Sequence, residues 1–411
     1  MSQPINDKRT YRPVSRLCRY ATLLLLSTIL SGCATFRSPG PKNPHRTGHS
    51  AAPVTAAPQQ RQAPELTTVL ELSAITNLEG IIPVLADKRV VLVGETHDRY
   101  DNHLMQLELI RRLHAVHPRL AIGMEMFQQP FQDILDDYIA GRVDEKQLLR
   151  DTEYYRRWRF DFRLYASILE YARENQLPVV ALNTPVELTS KVGREGIAGL
   201  TAAERKELPD EIDRSDAAYE ARLRKVFERH PARDGHGFEN FIDVQLIWDE
   251  GMAERAAEYL RAHPDYTMVV LAGSGHLAYG NGIPRRLTRR LDVKSTIILN
   301  DWDGTLEPGL ADYLLLPQEQ SLPPSGKFGA LLDEEGGKLS IDQCLPESPC
   351  KLAGLQPGDQ IIAINGEGIA DLADLRVATW DKRPGDSVVL KVRRQHWYRS
   401  TQELSYEITL R

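Results

Sequence analysis

Three hydrophobic runs in this sequence each lead into a side chain that can exchange a proton or bind a metal. The first run, residues 89–94, is followed by Glu95 and His97. The second ends at Glu125 and the third leads to His276. Carboxylate and imidazole groups are the usual side chains for general acid–base catalysis and for metal binding. These four residues are therefore the first candidates for a functional site.

The elements that must position these residues are predicted to be strands of a buried sheet. The first run is rich in β-branched and aliphatic residues, is too short for a helix and is closed by glycine, and the other two have a similar arrangement. Functional groups in open α/β sheets collect at the carboxyl ends of the strands. A further strand, Val179–Leu182, ends at Asn183, and a long helix, Phe238–His263, places Gln245 and Asp249 on one face. We expect these residues to share a polar cleft with the first four.

The alternative is that these side chains have only structural roles within their own loops. Glu95 and His97 would then be loop residues that bond to backbone, and His276 would cap a helix. We favour the cleft because buried carboxylate and imidazole groups are costly unless they are paired or bind a ligand.

An alternation of strand and helix signals runs from about residue 66 to residue 316. It predicts an α/β domain with a mostly parallel sheet covered by helices on both faces. Asp101–His117 is typical of an amphipathic helix, and on this pattern His103, His114 and His117 are expected to face solvent.

The N-terminus has the pattern of an exported lipoprotein. Five basic residues precede the apolar run Ala21–Leu30, and Leu30-Ser31-Gly32-Cys33 resembles a bacterial lipobox. We expect residues 1–32 to be a signal peptide, Cys33 to carry lipid, and residues 33–65, rich in Pro, Ala and Gln, to be a flexible tether. The protein is then anchored in the bacterial cell envelope, in the periplasm or on the outer face of the outer membrane.

Charge and cysteine content limit the partners and the compartment. The whole chain has a net charge of −6, and removal of residues 1–32 takes away five basic residues and one acidic residue, which leaves −10. Such an acidic protein is not expected to bind nucleic acid. Export permits a disulfide between Cys344 and Cys350; the alternative is two separate buried cysteines.

The composition changes at residues 317–325, which contain two adjacent prolines and are predicted to be a linker. The following segment has a Ser-Pro helix start, Gly354 at a helix end and the turn Asn365-Gly366. Residues 326–411 resemble a bacterial PDZ domain, a small β-rich fold. The resemblance implies that a peptide or protein C-terminus binds at the loop that contains Phe328, Gly329, Ala330 and Leu331.

The motifs of the α/β domain, taken together, resemble the ChaN-type haem-binding lipoproteins. The resemblance spans about residues 75–300 and rests on Gly94-Glu95-Thr96-His97, Gly123-Met124-Glu125, Trp158 with Tyr165, Asn183-Thr184-Pro185, Gln245 with Asp249, and Gly273-Ser274-Gly275-His276. The wider superfamily includes the Tiki-type metal-dependent proteases and the erythromycin esterases. The resemblance implies haem bound through a tyrosine, at or near the interface of a homodimer.

Three functions remain open at this stage. The first is haem uptake or trafficking, with Tyr165, Tyr154 or Tyr155 as the ligand of the haem iron. The second is a metal-dependent protease or esterase in which His97, His276 and Glu95 hold zinc or manganese. The third is a PDZ scaffold whose α/β domain is only a platform.

Overall fold

The computed structural model describes residues 72–229, 237–302, 304, 306–396 and 399–411. The predicted signal peptide, Cys33 and the tether lie outside the described residues. Within these ranges, no helix is both long enough and apolar enough to cross a bilayer.

The N-terminal part of the described chain is built on a six-stranded sheet in which all neighbouring strands are parallel. The strands in chain order are β1 (Val90–Glu95), β2 (Leu120–Gln128), β3 (Val179–Asn183), β4 (Thr267–Gly273), β5 (Ser295–Asn300) and β6 (Tyr313–Leu315). Their order across the sheet is β3-β2-β4-β1-β5-β6. The predicted α/β class is therefore confirmed. The short strand β6 was not predicted, because a run of three hydrophobic residues is too short to distinguish a strand from a loop.

Helices connect these strands and cover both faces of the sheet. They are α1 (Leu78–Leu85), α2 (Tyr100–Val116), α3 (Gln132–Ile139), α4 (Glu145–Asp151), α5 (Tyr154–Arg157), α6 (Ala166–Glu174), α7 (Val186–Glu195), α8 (Ala217–Arg229), α9 (Phe238–Ala262), α10 (Ser274–Leu277) and α11 (Ile283–Arg290). Every residue of β1 to β4 is buried, as expected for parallel strands covered on both sides.

The register of the central strands brings three strand ends together. In β1, Glu95 lies opposite Gly273 of β4, and Met124 of β2 lies opposite Leu271 of β4. Since the strands are parallel, the segments that follow β1, β2 and β4 leave the sheet at the same edge. The predicted candidates Glu95, Glu125 and His276 are carried by these three neighbouring strand ends.

A buried ion pair fixes α11 against α9. Glu250 and Arg286 are both almost inaccessible to solvent, and Arg286 Nε lies 3.1 Å from a carboxylate oxygen of Glu250. Arg289 and Arg290 approach the other oxygen of Glu250 at 2.8 and 2.5 Å. Loss of one partner from such a buried pair typically costs about 3–5 kcal/mol. The pair therefore holds α9, which carries Asp249, against the helix that follows the His276 loop.

The C-terminal part forms a separate, mostly antiparallel sheet. Its elements are β7 (Ala330–Glu335), β8 (Lys338–Cys344), α12 (Pro349–Ala353), β9 (Gln360–Ile364), β10 (Glu367–Gly368), α13 (Leu372–Thr379), β11 (Ser387–His396) and β12 (Arg399–Thr409). The strand order is β12-β11-β9-β8-β7, so β7 lies at an edge. As the Ser-Pro and glycine signals predicted, Ser348 caps α12 and Gly354 ends it in the left-handed conformation.

Candidate functional site

The first half of the site is a histidine–carboxylate pair after β1. Nδ1 of His97 lies 2.6 Å from Oε1 of Glu95, and the carboxylate is fully buried while the ring is 18% exposed. Burial alone would raise the pKa of Glu95, but the charges of His97 and His103 outweigh it and hold that pKa below its usual range. The pair therefore fixes the ring and leaves Nε2 directed into the cleft.

The second half is a matching pair between the β4 loop and α9. Nδ1 of His276 lies 2.6 Å from Oδ1 of Asp249, which is fully buried. The other oxygen of Asp249 accepts a hydrogen bond from the hydroxyl of Tyr219 on α8. Tyr219 was missed at the sequence level, because it lies in a polar, charge-rich stretch with no motif around it.

Glu125 connects the two pairs. Its Oε2 accepts a hydrogen bond of 2.7 Å from the backbone N–H of Gly273, and its Oε1 lies 3.5 Å from Nε2 of His276. A Cβ on Gly273 would come within 2.9 Å of the His97 ring, so glycine is needed for this close approach. Both rings are thus held at Nδ1 by a carboxylate while a third carboxylate lies beside their other edges.

This arrangement favours protonated histidines. Burial opposes protonation of His97, but the charge and hydrogen bond of Glu95 and the charge of Glu125 outweigh it and raise the pKa of His97 to about 9. Burial also opposes protonation of His276, where the charges of Glu125 and Asp249 raise the pKa to about 9. A cleft that keeps imidazolium and carboxylate groups in contact combines proton donors with proton acceptors.

Two other predicted cleft residues have different positions. Asn183 is buried and donates a hydrogen bond of 3.0 Å from its side chain to the backbone carbonyl of Glu125, so it supports the cleft from behind. Gln245 lies one turn before Asp249 on α9 and is half-buried; within the described residues its side chain forms no hydrogen bond with either histidine pair.

His103 is a correction to the sequence analysis. It was expected to face solvent, but it is 1% exposed. Its ring contacts the ring of Tyr165 at 4.3 Å between centroids, and its Nε2 lies 3.7 Å from Oε2 of Glu95. The helical pattern was correct, but the polar side of α2 lies over the carboxyl end of β1 rather than in water.

Aromatic side chains line the entrance to the cleft. The ring of His97 lies 4.7 Å from Trp158 and 5.0 Å from Phe160, and Trp248 lies 6.2 Å from His276. All three aromatic residues are partly exposed. They offer an apolar surface beside the two histidines.

The three tyrosines predicted as haem ligands lie inside the domain. Tyr165, Tyr154 and Tyr155 are 0%, 1% and 7% exposed. Burial raises the pKa of all three hydroxyls, which disfavours a phenolate. The hydroxyl of Tyr165 faces inward and donates to the backbone carbonyl of His97 at 3.3 Å. The three hydroxyls are enclosed in this conformation, and tyrosine ligation of haem stays a prediction.

The alternative prediction was a metal site formed by His97, His276 and Glu95. Within the ranges that the structure describes, no group of three or more His, Cys, Asp or Glu side chains is arranged to hold a metal ion. In the predicted set of His97, His276 and Glu95, one nitrogen of His97 is already bound to Glu95. Glu95 is therefore the hydrogen-bond partner of His97 rather than a third ligand beside it.

In the C-terminal domain, Gly329 lies in the loop predicted to hold a carboxylate. Its φ is +70°, and a Cβ there would lie 2.5 Å from Cβ of Ser348, so a larger residue is excluded on both grounds. Phe328 is buried in the domain core, while Ala330 and Leu331 lie on the edge strand β7. Cys344 and Cys350 form a disulfide beside this loop.

Comparison with known proteins identifies both parts of the chain. The family model described as "Haem-binding uptake, Tiki superfamily, ChaN" matches residues 81–287, half of the chain, and a PDZ domain model matches residues 326–405. The chain belongs to the ChaN family of the Tiki superfamily. It carries a C-terminal PDZ domain in addition.

Individual relatives are distant. Protein RETICULATA-RELATED 5, chloroplastic, from Arabidopsis thaliana is 24% identical over 52% of this chain and 31% of its own length. A probable periplasmic serine endoprotease DegP-like from Chlamydia muridarum is 33% identical over 31% of this chain and 24% of its own length. The chain thus spans less than a third of each of these curated relatives.

Solved structures include one described as "Cofacial heme binding to ChaN of Campylobacter jejuni". It is 17% identical, covers 59% of this chain and 92% of its own, and has a TM-score of 0.48. A mutant of the erythromycin esterase EreC in its open conformation is 16% identical, covers 54% of this chain and 72% of its own, and has a TM-score of 0.35.

The paired histidines predict how stability depends on pH. A histidine whose pKa is raised in the folded state stabilises the protein fully below the unfolded pKa, near 6.5, and loses that contribution as pH rises towards 9. Between these values we expect the free energy of unfolding to fall by up to about 1.4 kcal/mol per pH unit for each histidine. Urea unfolding at pH 6.5, 7.5 and 8.5 measures this slope.

The variants His97→Gln and His276→Gln should each flatten this dependence. His114→Gln, on α2 and away from the cleft, is the matched control for the loss of a histidine. A slope that is the same in the parent and in both cleft variants would contradict the raised pKa values.

Proposed function

We propose that this protein is a haem-binding protein of the cell envelope, acting in haem uptake or trafficking. The match of residues 81–287 to the ChaN family carries this proposal. The mature chain's predicted lipid anchor would hold it at a membrane, and its PDZ domain would recruit a protein partner.

The donor chemistry of the cleft fits a haem iron better than the buried tyrosines do. A histidine that binds metal usually has its second nitrogen fixed by a carboxylate or carbonyl, as Nδ1 of His97 and of His276 are here. A haem iron needs only one or two protein ligands, whereas a tetrahedral zinc site needs three or four. The partly exposed Trp158, Phe160 and Trp248 supply an apolar surface suited to a planar macrocycle.

We therefore propose that haem binds at the cleft entrance, with His97 and His276 as candidate iron ligands; each ring must lose its Nε2 proton when it binds iron, so loading with haem should release protons. Haem bound there would be either the cargo that the protein carries or a source of iron redox chemistry. The chain contributes the orientation of the two rings, through Glu95 and Asp249, and an apolar wall that excludes water.

Haemin titration followed by absorption tests this assignment. We expect Tyr165→Phe to bind haemin as the parent does, because it removes only an enclosed hydroxyl. His97→Ala and His276→Ala should lower the affinity by roughly tenfold or more, because each removes a candidate ligand and loss of an outer-shell partner alone typically costs about 10–100-fold. A tyrosinate spectrum that disappears in Tyr165→Phe, Tyr154→Phe or Tyr155→Phe would contradict the assignment and restore the tyrosine prediction.

A second candidate function is acid–base hydrolysis without a metal. The observation that favours it is the convergence of two imidazole rings on Glu125. Protonated histidines, with pKa values near 9, can donate a proton to a leaving group, while Glu125 can accept one from a water molecule. Such a reaction would cleave an ester or amide bond.

Hydrolysis of aryl esters by the parent and by Glu125→Gln separates this candidate from haem binding. Removal of a general base typically lowers the rate by about 10²–10⁴-fold. We expect that loss in Glu125→Gln, and no effect of a chelator, if the cleft is hydrolytic. Equal rates for the parent and Glu125→Gln would rule the candidate out, whatever the outcome with haemin.

The location of the protein depends on Cys33. Since the lipobox-like sequence directly follows the apolar run, Cys33→Ser should move the protein from the membrane fraction to the soluble fraction. Fractionation with mass spectrometry of the mature N-terminus measures this. A variant that stays in the membrane fraction with an unchanged mass would contradict the proposal.

We also propose that the PDZ domain binds a peptide C-terminus. The edge strand β7 can accept a peptide as an added strand, and the loop around Gly329 brings backbone close to the terminal carboxylate.

A further inference from the structure

The PDZ domain packs against the α/β domain with helix α13, and Glu367 of β10 lies beside this contact. Ala373 and Val377 on this helix are buried in the same hydrophobic cluster as Tyr155 and Phe162 of the α/β domain. The ring of Trp380, directly after the helix, lies 5.3 Å from the ring of Phe162. One face of α13 therefore belongs to the core of the other domain.

Charged side chains surround this apolar contact. Arg156 binds Asp371 and Asp374 at 2.7 and 2.8 Å, and Lys146 binds Glu367 at 2.6 Å. The basic side chains come from α4 and α5, and the acidic ones come from the PDZ domain. Their signs are complementary, which favours one orientation of α13 on this surface.

The opposite face of α13 belongs to the PDZ core. Leu375 and Ala378 are buried in one cluster with Phe328, which lies in the loop predicted to hold a peptide carboxylate. The same helix thus contacts the peptide loop on one side and the α/β domain on the other.

The surface that α13 contacts is the aromatic segment, residues 154–164, which also forms the wall of the cleft. Within it, Arg159 has a φ of +73°, a backbone conformation that a non-glycine residue holds only when its surroundings impose it. The carbonyl of Arg159 accepts a hydrogen bond of 2.8 Å from Arg376 of α13. Its two neighbours in sequence, Trp158 and Phe160, are the residues packed against His97.

We propose that the PDZ domain positions the cleft: α13 holds the aromatic segment in place and thereby holds Trp158 and Phe160 against His97. This role goes beyond peptide capture, and it applies whether the cleft binds haem or hydrolyses a substrate. It makes α13 a positioning element for a site in another domain.

The test uses the full-length chain with a charge-swap design. Glu367→Lys places a positive charge against Lys146 and Arg150, and Lys146→Glu combined with Glu367→Lys restores the attraction. Arg376→Ala removes the bond to the carbonyl of Arg159. Lys391→Glu is the matched control, because its ion pair with Glu403 lies within the PDZ sheet.

The first readout is hydrogen–deuterium exchange of residues 154–164. We expect Glu367→Lys and Arg376→Ala to speed exchange there by roughly tenfold, with α6 unchanged, and the charge swap to restore the parent rate. The second readout is the NMR signal of the His97 ring, which should shift in the same variants and return in the charge swap. Neither readout requires haem or a substrate, so failure of the proposed function leaves this test intact.

Parent-like exchange of residues 154–164 in both interface variants would overturn the proposal. Faster exchange with an unchanged His97 signal would overturn it as well, because the segment would then be held by α13 without positioning the cleft. A change of the same size in Lys391→Glu would show a general loosening of the PDZ domain and would also count against it.

Discussion

Two imidazole rings, each bound at Nδ1 to a buried carboxylate, are the constraint on which the rest of the structure depends. Glu95 and Asp249 are fully buried, and a buried carboxylate is stable only when it is paired. Each pair therefore requires two elements to stay in register: the end of β1 with its own loop, and α9 with the loop after β4. The buried Arg286–Glu250 pair helps to keep α9 in register with the loop after β4, since it fixes α11 to α9.

The sequence predicted the strand ends well, because hydrophobic periodicity and a closing glycine are local signals. The fold class followed from the same alternation of strands and helices. The order of the strands did not, because β1, β4 and β2 are far apart in the chain and become neighbours only through tertiary packing. That order is what brings Glu125, His97 and His276 to the same edge of the sheet.

Side-chain environment was harder to predict than position. His103 lies on an amphipathic helix and was expected in water, yet the polar side of α2 covers the site. Tyr154, Tyr155 and Tyr165 were chosen by residue type, and only packing shows that their hydroxyls face inward. Tyr219 had no sequence signal at all, because its role depends on α8 lying against Asp249. In each case the deciding contact joins segments that are distant in sequence.

Family membership suggests a ligand, and the geometry of the cleft suggests which side chains could contact it. The matching family is described as haem-binding, while the paired histidines and Glu125 provide donors and acceptors that either binding or hydrolysis would use. Helix α13 of the PDZ domain packs against the aromatic segment, residues 154–164, which lies beside this cleft. The two domains are therefore joined by a packed contact as well as by the linker.

The protonation of the two rings tests the central claim most directly. Nitrogen-15 NMR of the imidazole groups at pH 7.5 reports whether each ring carries one proton or two. The structure predicts that His97 and His276 are both doubly protonated at this pH, with Nδ1–H bound to a carboxylate. Two rings that titrate near pH 6.5 would contradict the account, because the buried carboxylates would then not stabilise the protonated form of the rings.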